Sequence, residues 1–117
     1  PCDEIYARRN WSLYGNSSLR QDGTERMDEE TLKSITSTNA GERLWLRVER
    51  QTLRKLPKTG AILFTIRIHL RQLKYIVNYE GIASKLSKAL SALPQKMQEY
   101  KRTDIFADSA KAYLNQF

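Results

Sequence analysis

Arginine and glutamate crowd one short stretch of this 117-residue chain. Arg47, Arg50, Arg54, Lys55, Lys58 and Arg67 surround two apolar runs, and a single acid, Glu49, stands between Arg47 and Arg50. A guanidinium can bind a carboxylate or phosphate through two parallel hydrogen bonds, so a cluster of arginines can hold an anion. A carboxylate among them can fix one arginine in place or receive the ammonium group of a ligand. On residue types alone the stretch is either an anion site or a solvated sheet face with cross-strand ion pairs, and both readings stay open. Arg50, Arg54, Lys55 and Lys58 can likewise contact phosphates or simply keep a connecting loop soluble.

The charge distribution sharpens this. The chain carries a net charge of +7. Residues Glu42 to Lys74 hold nine Lys/Arg and two Glu, which is 9 − 2 = +7, so the remaining residues sum to zero. A local excess of this kind points to an anionic partner more directly than a high isoelectric point does.

Other chemical grammar is sparse. His69 is the only histidine; it could serve as a base, a metal ligand or a haem ligand, or pack at a strand end. Cys2 is the only cysteine, so neither an internal disulfide nor a multi-thiolate metal site can form, and a reducing, intracellular compartment, cytoplasmic or organellar, is expected. The sequence has no Gly-rich phosphate loop, no zinc spacing and no nucleophile elbow. Asp28-Glu29-Glu30 reads as a helix start rather than a metal site. Trp11 and Trp45 read as packing residues before stacking platforms. Asn10-Trp-Ser and Asn16-Ser-Ser match the glycosylation sequon, with no secretory h-region ahead of them. No run approaches the length of a membrane span.

The elements that must position these residues follow from periodicity. Residues 1–14 read as extended or irregular, and Gly15, Asn16, Ser17, Ser18, Asp22 and Gly23 make a loop. Asp28 can cap a short helix running to about Thr36, followed by a loop over Ser37 to Gly41. Residues 43–50 alternate: Leu44, Leu46 and Val48 point one way, and Arg43, Trp45, Arg47 and Glu49 the other. Residues 61–70 alternate too, with Ile62, Phe64, Ile66, Ile68 and Leu70 on one face. These two runs predict a hairpin joined over about Gln51 to Gly60. Its second face would carry Arg43, Trp45, Arg47, Glu49, Thr65, Arg67 and His69 together.

From Tyr79 the period becomes helical, with Ile82, Ala83, Leu86, Ala89, Leu90 and Leu93 in one stripe and Asn78 as a candidate cap. Pro94 ends this helix and opens a short one toward Tyr100. Thr103 or Asp104 can cap a last helix. The order implies an α+β domain in which helices cover one face of an antiparallel sheet. Two strands alone are marginal in water, so further strands are expected from residues 1–14, from another segment or from a partner chain.

The run from Leu44 through Leu-Arg-Val-Glu-Arg-Gln-Thr-Leu-Arg-Lys-Leu-Pro-Lys-Thr-Gly to Arg67 resembles the signature of the haem-dependent oxidative N-demethylase family. Arg9-Asn-Trp-Ser-Leu13 and Ala92-Leu-Pro-Gln-Lys-Met-Gln-Glu-Tyr-Lys101 resemble the family's flanking segments, in matching order across about residues 9–101. The resemblance implies the C-terminal portion of a PAS-like haem domain, either as a single domain over 1–117 or as part of a larger one. It implies oxidation of a small methylated amine with release of formaldehyde, and electrons from a flavin-containing reductase. It makes Arg47, Arg50 and Arg67 candidates for haem propionates, and Glu49 the candidate catalytic residue that binds a cationic amine. A chain or segment that completes the domain is the implied partner. The alternative is a non-catalytic subunit whose basic hairpin contacts nucleic acid or an acidic protein, with no membrane partner in either case.

Overall fold

A computed structural model describes residues 4–18 and 29–117. Three strands form one antiparallel sheet in sequence order: β1 (Ile5–Tyr14), β2 (Trp45–Lys55) and β3 (Ile62–Gln72). Among the described residues six helices accompany them: α1 (Glu29–Lys33), α2 (Ala40–Arg43), α3 (Leu73–Ile76), α4 (Ile82–Ala92), α5 (Gln95–Lys101) and α6 (Thr103–Leu114). The chain is α+β, as the order of periodicities implies, and the extended N-terminal residues supply the third strand beside β2. Among the described residues, no helix is long and apolar enough to cross a membrane.

The helices pack on one face of one end of the sheet. Leu13 and Leu44 enter the core there with Leu32, Ile35, Leu73, Leu86, Leu90, Phe106 and Leu114, and Trp11 and Leu46 pack against them. Each large apolar side chain fully buried in this way contributes roughly 1.5–3 kcal/mol. β1 and β2 are most buried toward Tyr14 and Trp45, β3 is half-buried at best toward Gln72, and all three become exposed toward Ile5, Lys55 and Ile62. The sheet therefore extends beyond its helical cover, and the molecule measures 54 × 34 × 25 Å.

Several boundaries differ from the sequence expectation. The strand expected over residues 43–50 runs on to Lys55, so Arg50, Arg54 and Lys55 lie on a strand rather than in a loop. The turn is tight: Leu56 N donates to Ala61 O, Gly60 N donates to Leu56 O, and Gly60 takes φ +72. That left-handed conformation favours glycine, and it lets the strands pair to their ends. Ala40 to Arg43 form a helical turn instead of loop and strand. The Asn39 carbonyl accepts from Glu42 N and Arg43 N, while Asn39 Oδ1 accepts from Thr36 N. Gly41 is buried against Tyr113, where a Cβ would lie 2.4 Å from the phenol oxygen. Glycine is the residue that permits α2 and α6 to approach this closely.

Caps also differ. α4 starts after Gly81 rather than at Asn78, and Tyr79 is exposed rather than part of its stripe. Thr103 is a fully buried helical residue of α6, whose N-cap is Arg102 in a left-handed conformation at φ 60. Pro94 behaves as expected, extended immediately before α5. Asp28 and Cys2 lie outside the described residues.

Candidate functional site

The central strand β2 decides which charged residues meet. Odd-numbered β2 residues face away from the helices, so Arg47, Glu49 and Gln51 line up on that face at a spacing of two. Arg47 Nε donates to Glu49 Oε1 at 3.2 Å, and Gln51 Nε2 donates to Glu49 Oε2 at 3.0 Å. Both carboxylate oxygens are thereby held. Arg8 Nε on β1 donates to Gln51 Oε1, and Arg47 Nη1 donates to the Ser18 carbonyl at 3.2 Å. The Arg47 guanidinium also lies 5.7 Å from the Tyr14 ring centre, within cation–π range. Arg47 and Gln51 are buried, and the Glu49 side chain retains 20% exposure.

Beside this network is a recess of about 20 Å³ lined by Asn10, Trp11, Ser12, Tyr14, Arg47 and Glu49. A space of that size admits roughly one water-sized group. Lys101, at the end of α5, sends its ammonium to the same strand. Its Nζ donates to Ser12 Oγ at 2.8 Å, to Asn10 Oδ1 at 3.3 Å and to the Trp11 carbonyl. It lies 5.5 Å from the Trp11 ring centre. Burial lowers the pKa of Lys101, and the Glu49 charge partly opposes this by raising it.

The opposite face carries a different arrangement. Arg9, Arg50 and Arg67 are direct neighbours across all three strands. Ala7, Thr52 and Thr65 form the next row outward, with the Thr52 and Thr65 hydroxyls hydrogen-bonded to each other. His69 lies one row inward, opposite Val48. With Arg54 and Arg71, this face of the sheet presents five arginines and no acid, since Glu49 faces the other way. Among the described residues, none of the five is in an ion pair.

The sequence expectation placed Arg47, Glu49, Thr65, Arg67 and His69 on one face. The register corrects it: Glu49 pairs with Ile68, and Arg67 pairs with Arg50. Arg47 and Glu49 share one face with Ile62, Phe64, Ile66, Ile68 and Leu70, and Arg50, Arg67 and His69 share the other. Alternation within each strand was legible; how the two alternations line up depends on the turn, which is shorter than expected. Arg8, Arg9, Gln51 and Lys101 are the participants that the sequence reading missed. Gln51 follows Glu49 at the strand period, a signal hidden by ending β2 at residue 50. Lys101 meets β1 across about ninety residues of chain, and no local pattern marks that contact.

A family model described as haem-dependent oxidative N-demethylase, alpha subunit-like, matches residues 1–111. The chain belongs to this family. Its name associates the family with haem and with a subunit of a larger assembly. The described residues do not by themselves fit a haem. Cofactor pockets measure about 300–1,000 Å³, far more than the recess beside Glu49. His69 is exposed on the arginine face. Among the described residues, no group of three or more His, Cys, Asp or Glu side chains converges to hold a metal ion.

Proposed function

We propose that this chain supplies one polar wall of a haem-dependent oxidative N-demethylase subunit, in a PAS-like domain completed by a further segment or chain. The family match over residues 1–111 carries the reading. Within it, Glu49 is the residue that receives the ammonium of a small methylated amine. Three features support that role: its carboxylate is held at both oxygens, it borders the recess with Trp11 and Tyr14, and Lys101 already places an ammonium on two of the lining side chains. Arg47, on the same face, positions Glu49. Arg50 and Arg67, with Arg9 in the same row, face the other side of the sheet, so a haem beside Glu49 would lie beyond their reach; they offer donors to an anionic group of the completing segment or chain. A flavin-containing reductase is the proposed source of electrons.

Haem titration of the purified chain, alone and with the polypeptide that completes it, tests this reading. A Soret band in at least one of the two preparations is expected, little changed by Arg50→Ala or Arg67→Ala, whose side chains face away from Glu49. Glu49→Gln should spare haem uptake but abolish the spectral response to a small methylated amine. Absence of a Soret band in both preparations would overturn the reading.

The five arginines on one sheet face favour a second reading, a non-catalytic module for an anionic partner, either nucleic acid or an acidic protein. It predicts binding that falls steeply with salt.

A further inference from the structure

The outer edge of β3 has no partner strand among the described residues. Its hydrogen-bonding direction follows from the two ends of the hairpin. Leu73 N donates to Leu44 O, and Leu56 N donates to Ala61 O, which makes these the hydrogen-bonded pairs at either end of the β2–β3 ladder. Such pairs alternate with non-hydrogen-bonded ones in an antiparallel ladder. The odd-numbered residues of β3 therefore bond to β2. Ile62, Phe64, Ile66, Ile68 and Leu70 turn their N–H and C=O groups outward.

The same residues carry the exposed apolar strip. Ile62 is 69% exposed, Phe64 47% and Ile66 49%, with exposed Leu53 and Tyr6 beside Phe64 on the same face. Arg67 and Arg71 alternate with them on the other face, unpaired with any acid among the described residues. Proteins usually blunt a long edge with proline, a bulge or a short strand. β3 is 11 residues long and contains no proline. Its only protection is positive charge.

That charge selects the occupant. A second copy added edge to edge, with the apolar faces aligned, would offer Arg67 and Arg71 no counter-charge, since β3 contains no acid. Nucleic acid would satisfy the arginines but not the outward backbone groups or the apolar strip. We propose that β3 takes up an extended segment of a partner polypeptide, with apolar side chains at alternate positions and acidic ones between them. Its apolar residues lie against Phe64 and Ile66, and its backbone bonds to theirs. Its acids lie opposite Arg67 and Arg71, in non-hydrogen-bonded pairs where side chains approach most closely. This occupant names the partner class for the second reading above and rests on it. Haem uptake is a separate readout, so either can fail alone.

The test uses the full chain and a fluorescein-labelled ten-residue peptide alternating valine and glutamate, read by fluorescence anisotropy. Binding is expected, weakened about tenfold by Arg67→Glu and by Ile66→Pro, which removes one outward donor and leaves the β2 ladder intact. Ile66→Lys, monitored with circular dichroism, gives the same answer if the proline variant misfolds. Three results would overturn the proposal: equal binding of a peptide with the same residues in two blocks, tighter binding of a ten-nucleotide single strand, or a dimer of the chain whose formation excludes the peptide.

Discussion

Arg50 and Arg67 stand directly opposite each other on neighbouring strands, with Arg9 completing the row on the far side of Arg50. Like charges at this spacing repel, and no acid in the three strands shares their face. Replacing the central member should therefore stabilise the fold. Arg50→Glu is expected to raise stability by about 0.2–1 kcal/mol, read as a higher urea midpoint with an unchanged slope. A loss of stability would mean that the row is already neutralised by a group outside the described residues.

Glu49 shows the opposite case. Its two oxygens are taken by Arg47 and Gln51, both buried. Glu49→Gln replaces one acceptor oxygen by an NH2 that faces donors, and it removes the charge from one of Arg47's hydrogen-bond partners. A cost of about 1–3 kcal/mol is expected in equilibrium denaturation. Arg54→Gln, on the exposed end of the same strand, should change stability by less than about 0.5 kcal/mol. Equal effects of the two substitutions would argue that the Glu49 network contributes nothing beyond surface charge.

The contrast between these residues shows how much the sequence could disclose. Alternation alone assigned Leu44 and Leu46 to the covered face, and the Tyr79–Leu93 periodicity located Ala83, Leu86 and Leu90 in the core. The density of arginine around Glu49 marked β2 and β3 as the charged strands. Cross-strand register was hidden, because the position of the turn fixes it and the glycine that closes the turn, Gly60, was read as the end of a long loop. The exposure of the β3 strip is hidden in the sequence for a related reason. Ile62 to Leu70 looks like a face that must be buried, but these residues share the Glu49 face of the sheet, which points away from the helices. Lys101 could not be found at all, since its contacts with β1 are purely tertiary.

Gly41 is held to its identity by Tyr113 rather than by backbone conformation. A Cβ there meets the phenol oxygen at 2.4 Å and the ring carbon bearing it at 2.6 Å. Gly41→Ala should cost about 1–3 kcal/mol as α2 and α6 are forced apart. Combining it with Tyr113→Leu tests the cause in a double-mutant cycle. The two losses should be clearly less than additive, because the smaller side chain removes the clash. Additive losses would place the strain elsewhere.

Lys101 links stability to pH in the alkaline range. Burial lowers its pKa in the folded chain below the ordinary value of 10.5, with the Glu49 charge acting the other way. Between the lowered folded pKa and the unfolded one, the unfolded chain binds more protons. The Lys101 contribution to stability therefore rises as pH increases through that window, and at neutral pH the buried ammonium carries its full desolvation cost. Tyr113 runs opposite. Burial and then the Glu42 charge raise its pKa, so its contribution falls once pH passes the unfolded tyrosine value. Comparing the chain with Lys101→Met at each pH cancels the tyrosine effect. The stability difference, wild type minus variant, should grow more favourable to wild type from pH 8 to pH 10 in urea denaturation. A difference independent of pH would show that the Lys101 ammonium is as well solvated in the folded chain as in the unfolded one.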